Sequence, residues 1–410
     1  MNPDLNKLQP YPFEKLKALL GQVTPPKNLA HIALSIGEPK HTSPKIVVDT
    51  LNSNLDKLSN YPSTIGLPEL RESIANWSTK RFNLDTNNSS PTNLSSKKIG
   101  LCPDSQVLPV NGTREALFSF TQAIIDRTSS PLVISPNPFY QIYEGAAYLA
   151  GAELLLLPCL EENNFIPDYE NISEATWQAC QLLFICTPSN PTGSVTSLSG
   201  LKTLIALSDK YNFVIASDEC YSEIYCNEAQ APVGLLQACA ELGRNDYKNC
   251  VVFHSLSKRS NLPGLRSGFV AGDAKILNKY LQYRTYHGCA MPIQHQVASI
   301  AAWNDEAHVI ENRKIYQKKF QKVLEILEPS LDIKQTQASF YLWPKTPICD
   351  ELFAQKLFEQ QHVTVLPGSY LSRTVDDTNP GENRVRMALV APEADCIEAA
   401  KRIRTFVEGL

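Results

Sequence analysis

A chain of 410 residues is longer than one simple hydrophobic core usually serves, so two domains are expected. Its net charge of −4 comes from 38 basic and 42 acidic residues scattered without a basic block, which argues against nucleic acid and for a small-molecule partner. Hydrophobic content is 43%, no apolar run approaches the roughly 20 residues that span a bilayer, and the opening MNPDLNKLQPYPFEKL has no apolar signal core; a cytoplasmic protein without membrane contact is expected.

In chain order, residues 84–106, rich in Asn, Ser and Thr, read as an exposed loop. A strand-like VLPV then runs into Asn111-Gly112-Thr113, and REALFSFTQAII behind it reads as a helix. PLVIS near 131–135, ELLLLP near 153–158, LLFIC at 182–186, NFVIAS at 212–217 and VVFH at 251–254 are short and apolar on both faces, as parallel strands covered by helices are. Between two of them, SLSGLKTLIALSDKYN carries Leu201, Leu204, Ile205 and Leu207 behind a Ser/Thr start that can cap a helix. The alternation predicts an α/β domain over residues 45–291, a mainly parallel sheet sandwiched by helices.

Beyond Met291-Pro292 the character changes. One long helical pattern extends from Gln296 to Leu327, with Val309, Tyr316, Phe320, Val323 and Leu327 recurring at three and four. Strand-like ASFYLW, HVTVLP and RVRMALV follow, mixed with helices. Residues 292–410 therefore read as a smaller α+β domain, joined by the N-terminal residues 1–44. The 11 dispersed cysteines form no CxxC and the seven histidines no HExxH, so reduced thiols and no metal are expected.

In an open parallel sheet, ligands collect beyond the carboxyl ends of the strands. Asn111-Gly112-Thr113, Asn190, Asp218 and Lys258 all follow strand-like runs. Lys258 lies behind the hydroxyls of Ser255 and Ser257, with Arg266 a short loop away. Such a lysine can hold an aldehyde cofactor covalently while hydroxyls and a guanidinium neutralise a phosphate, which points to pyridoxal phosphate. Gly112 and Thr113 offer backbone N–H groups and a helix start to that phosphate. Asp218 suits the cofactor's ring nitrogen, whose proton a carboxylate favours, and Asn190 and Tyr221 suit its phenolic oxygen. Each has a plainer reading alone: a surface lysine, a helix-cap Asp, a turn Asn before Pro191, a core tyrosine.

TPSNPTG, SDECYSEIY and SLSKRSNLPGLRSGF, in this order, resemble the fold-type I pyridoxal-phosphate aminotransferases of class I/II, over nearly the whole chain. Within that superfamily, YRTYHGCAMP, GEPKHTSP and NGTREALF resemble the succinyldiaminopimelate aminotransferases of lysine biosynthesis. The resemblance implies a cytoplasmic homodimer with shared active sites that exchanges an amino group between an amino acid and an oxo acid. It makes Lys258 both covalent anchor and proton carrier, with Asp218 at the ring nitrogen, Asn190 and Tyr221 at the phenolic oxygen and Tyr140 stacked on the ring. Gly112, Thr113, Ser255, Ser257 and Arg266 would hold the phosphate, and Tyr61 would reach the phosphate of the partner subunit.

For substrate, the resemblance gives Arg386 the α-carboxylate and Gly37 the close approach of the N-terminal loop. Arg384 lies two residues away, and strand alternation alone does not separate the two arginines. The extra carboxylates of succinyldiaminopimelate call for cations or hydrogen-bond donors on the far side of the pocket, for which Lys40, His41, Arg284 and His287 are the candidates. Rival readings are an aminotransferase for aspartate, alanine or aromatic amino acids, a carbon-sulfur lyase on the same scaffold, and a ligand-sensing module.

Overall fold

The apolar runs of the first half assemble into a single sheet. A computed structural model describes residues 1–85 and 100–410. Its principal strands are β1 (Val107–Val110), β2 (Leu132–Asn137), β3 (Glu153–Pro158), β4 (Cys180–Cys186), β5 (Val214–Asp218), β6 (Cys250–Ser255) and β7 (Gly268–Gly272). They lie in the order β1-β7-β6-β5-β4-β2-β3, with β7 antiparallel to both neighbours and the other pairings parallel. Burial on both faces explains the near-continuous apolar composition: Leu183 and Ile185 of β4 enter one core, while the alternating Leu182 and Phe184 enter the other.

Helices α1 (Pro12–Leu20), α2 (Thr113–Ile124), α3 (Ile142–Leu149) and α4 (Ala274–His287) matter for the site. α2 starts at the carboxyl end of β1 after Gly112, and α3 starts just beyond β2. The sheet and its covering helices give the α/β class that the sequence predicts.

The single helix expected over 296–327 is two, α5 (Ile293–Asn304) and α6 (Ala307–Leu327). Asp305 ends the first and starts the second: its carboxylate accepts the backbone N–H of His308 at 3.1 Å, as a capping acid does. A second body follows with β8 (Tyr341–Leu342), α7 (Asp350–Gln361), β9 (Leu366–Pro367), β10 (Val385–Ala388) and α8 (Glu393–Glu408). Its strands pair antiparallel in the order β9-β10-β8. The N-terminal pair Ile32–Ala33 joins it by parallel pairing with Val363–Thr364, and Ile32 and Leu34 enter the same core as Phe320, Leu342, Phe353 and Met387.

Most of the 84–106 stretch lies outside the described residues; of those described, Asp85, Cys102, Asp104 and Ser105 are exposed, while Leu84 and Leu101 are buried in the core. Among the described residues no helix is long and apolar enough to cross a membrane.

Candidate active site

Register brings the chemistry to one edge. Asp218, the last residue of β5, lies opposite Cys186 at the end of β4 and Phe253 near the end of β6. Lys258 follows within the short helix Leu256–Arg259, and Asn190 lies four residues beyond β4. A cavity of about 440 Å³ opens above this edge, with Lys258, Asp218, Asn190, Tyr140, Arg266 and Arg386 in its wall.

The Lys258 amine donates to the carbonyl of Gly37, from the loop that closes the cavity on the N-terminal side. Gly37 is required there, because a Cβ would fall 2.0 Å from the Tyr341 hydroxyl oxygen. Burial pushes the amine down to about 8; the Arg386 charge acts the same way, while Cys220, Glu38 and Asp218 oppose it. The rings of Phe340 and Tyr221 flank the amine, at 5.2 and 5.8 Å. Tyr221 also shares a 3.0 Å hydrogen bond with Tyr341.

Asp218 is buried, and desolvation raises its pKa. The Cys220 thiol counters that most, followed by the Tyr143 hydroxyl at 2.7 Å on Oδ2, the Cys220 N–H at 3.3 Å on Oδ1 and the nearby His254. Ser255, Ser257, Arg266 and Thr113 line the same cavity, and the Thr113 hydroxyl shares a 3.2 Å contact with Cys220 Sγ. Gly112 adopts φ +85°, and a Cβ on it would lie 2.3 Å from Arg266 Nη2, so only glycine lets that guanidinium press against the turn. Arg266 itself is left-handed, φ +52°, an uncommon conformation for a residue with a side chain.

The two arginines that strand alternation leaves together have different surroundings, and of the two only Arg386 lines the cavity. Its Nη1 donates to Asn190 Oδ1 at 2.9 Å and its Nη2 to the Ser35 carbonyl at 2.7 Å, while Nε is buried without a partner. A carboxylate is the group that would satisfy such an orphaned guanidinium edge. Arg384 instead turns away to Glu161 Oε2 at 2.6 Å and the Trp343 carbonyl.

The distal candidates need correction. Arg284 is fully buried under α2, held by Glu115 at 2.8 Å and the Cys289 carbonyl at 2.9 Å, and does not line the cavity. Lys40 is an exposed side chain paired with Glu38. His41 is engaged by Asn312 and Lys319, and His287 stacks on Tyr283 at the end of α4. Tyr61 is wholly exposed and stands outside the cavity of its own chain.

Residues missed in the sequence also stand at the cavity. Arg114, in the first turn of α2, lines the cavity and reaches Tyr140 Oη at 2.6 Å and Tyr11 Oη at 3.0 Å. Tyr11 comes from the N-terminal segment that leads into α1, which covers the cavity mouth. The signal for Arg114 was its place directly after the Gly-Thr turn; for Tyr143, its place three residues after Tyr140, one helical turn away. One trio of ligand-type atoms among the described residues, Glu115, His287 and Cys289, lies within 4.8 Å, yet Arg284 and the Asn111 N–H already engage that carboxylate.

The donor set of the cavity wall fits a phosphorylated pyridine aldehyde: hydroxyls and a guanidinium suited to a phosphate, an acid suited to a ring nitrogen and an amine suited to the aldehyde. Comparison with known proteins agrees. The family model "Aminotransferase class I and II" matches residues 30–403. An LL-diaminopimelate aminotransferase of Maridesulfovibrio salexigens is 30% identical over 407 residues, 97% of each chain. The crystal structure of an aminotransferase from Neisseria meningitidis superposes with a TM-score of 0.92 at 48% identity, covering 99% of this chain and 100% of that one. A probable N-succinyldiaminopimelate aminotransferase from Thermus thermophilus shares the fold, with a TM-score of 0.81 at 24% identity, covering 96% of this chain and 98% of that one.

Proposed function

The chain belongs to the class I and II aminotransferases and works with pyridoxal 5′-phosphate, and we propose that it exchanges an amino group between N-succinyl-L,L-2,6-diaminopimelate and 2-oxoglutarate or glutamate in lysine biosynthesis. The observation that carries this reading is that Lys258, Asp218 and Arg386 open onto one cavity whose outer wall holds a further cation, Arg114. Bound there, pyridoxal phosphate supplies the electron sink that makes an amino acid's α-carbon acidic.

The residues divide the remaining work. Arg386 fixes the substrate α-carboxylate, and Lys258 takes the proton from the α-carbon and returns it. Asp218 holds the ring-nitrogen proton, Asn190 and Tyr221 serve the phenolic oxygen, and Tyr140 covers the ring. Thr113, Ser255, Ser257, Arg266 and the backbone at Gly112 receive the phosphate. We take residues 45–291 as the cofactor domain and 1–44 with 292–410 as the smaller one, with α5 packing back into the cofactor domain's core through Ala298, Ala302 and Trp303.

Arg114 is suited to a carboxylate on the distal arm of the substrate. Arg114→Gln is expected to raise KM for succinyldiaminopimelate about tenfold, the value of one partly solvated charge-assisted contact, and to leave KM for alanine within about twofold. Half-reaction bleaching of the bound cofactor by a panel of amines tests the substrate. Bleaching by glutamate and succinyldiaminopimelate supports the proposal; bleaching by unsuccinylated diaminopimelate alone moves it to that amine, and by neither diaminopimelate to a different amino acid.

A cytoplasmic homodimer fits the exposure of Tyr61, which from a partner subunit would complete the phosphate site. A solution mass of two chains, lost together with tight cofactor binding on dilution, is the expected result; a monomer that retains cofactor rejects the shared site.

A further inference from the structure

The Tyr143 hydroxyl gives Asp218 Oδ2 its 2.7 Å hydrogen bond, against 3.3 Å for the peptide N–H on Oδ1. The tyrosine is fully buried in the first turns of α3, stacked on Phe184 of β4 at 4.5 Å with 13° between the rings. It also meets Tyr140 edge-on at 5.9 Å. One helical start therefore carries both the ring expected over the cofactor and the donor to the acid beneath it. Burial, the Asp218 charge and the neighbouring Cys186 all push the phenol's ionisation up, so it stays a donor across the working range.

We propose that Tyr143 is a positioning residue for the ring-nitrogen acid: its hydroxyl fixes Oδ2 and keeps Asp218 an anion, so that the proton shared with the pyridine nitrogen stays on nitrogen. The proposal rests on the reading of Asp218 as that acid. With Asp218 and Tyr143 both buried, a carboxylate that loses this donor is poorly compensated and becomes the stronger base. It then draws the shared proton away, and the ring loses the positive charge that makes it an electron sink. The same positive charge lowers the proton affinity of the Lys258 nitrogen once that nitrogen is joined to the cofactor.

That nitrogen gives the readout, because its protonation changes the absorbance of the bound cofactor. In the holoenzyme, Tyr143→Phe keeps the ring stack and is expected to raise the titration midpoint by about one pH unit, with several-fold faster cofactor loss. Installing 3-fluorotyrosine at position 143, a stronger donor of nearly the same shape, is expected to lower the midpoint, and it carries the test if the phenylalanine variant does not fold. Phe184→Leu disturbs the stack but spares the hydroxyl, and should leave the midpoint in place.

A midpoint unmoved by loss or strengthening of the hydroxyl, but moved by Asp218→Asn, overturns the inference. A Phe184→Leu shift equal to that of Tyr143→Phe overturns it as well, by reducing Tyr143 to packing. A midpoint that Asp218→Asn leaves unmoved overturns the reading of Asp218 instead.

Discussion

Replacing Lys258 by alanine is expected to lower turnover on the order of 10,000-fold while pyridoxal phosphate stays bound at the phosphate end of the cavity. The loss is large because one amine has two tasks, the covalent hold and the proton transfer. The groups flanking it are the rings of Phe340 and Tyr221 and the Gly37 carbonyl, none of them a base for a carbon acid at neutral pH. Burial as a cause of its lowered pKa adds a pH signature. With the amine near 8 rather than 10.5, the unprotonated nucleophile is present at lower pH than for a free lysine. Covalent capture of cofactor by the cofactor-free wild type should therefore quicken about tenfold per pH unit up to roughly 8 and level off above it. Stopped-flow absorbance follows this capture. Borohydride should fix the cofactor to the wild type and not to Lys258→Ala; a trapped adduct in the alanine variant, or half the activity surviving, rejects the role.

What could be read from the sequence was set by how local its cause is. LLFIC and NFVIAS announced strands because burial on both faces of a parallel sheet writes itself into consecutive residues. The strand ends then placed Asp218 and Lys258 at one edge, since a parallel sheet has only one carboxyl edge. The division of the expected long helix escaped because Asp305 and Glu306 fit the solvated face of a continuing helix as well as they fit a stop. Arg284 was misplaced for a different reason. Lysine and arginine on a helix are usually exposed, and only the fold brings Glu115, 169 residues away, to bury this one. Tyr143 and Arg114 are the mirror case: ordinary helical residues in sequence, whose partners Asp218 and Tyr11 stand 75 and 103 positions distant.

The two neighbouring arginines offer the sharpest contrast for substrate binding. Arg386→Lys is expected to cost about 3 kcal/mol of transition-state stabilisation, or roughly 150-fold in kcat/KM, despite keeping the positive charge. The guanidinium is anchored by two of its nitrogens, to Asn190 Oδ1 and the Ser35 carbonyl, and seated on Tyr341 at 4.5 Å. This leaves a planar edge with the unpartnered Nε for a carboxylate. An ammonium has no second edge: if it bonds to Asn190 it gives up the fork, and if it bonds to the carboxylate it leaves Asn190 and Ser35 without their donor. The α-carbon then loses its fixed angle to Lys258, so kcat should fall along with affinity. Arg384→Lys, two residues away, changes only the contact to Glu161 and the Trp343 carbonyl, and should leave KM for the amino donor unchanged. Steady-state kinetics of both variants with the same amino donor decide the matter: equal losses, or a loss confined to Arg384→Lys, would remove Arg386 from the carboxylate site.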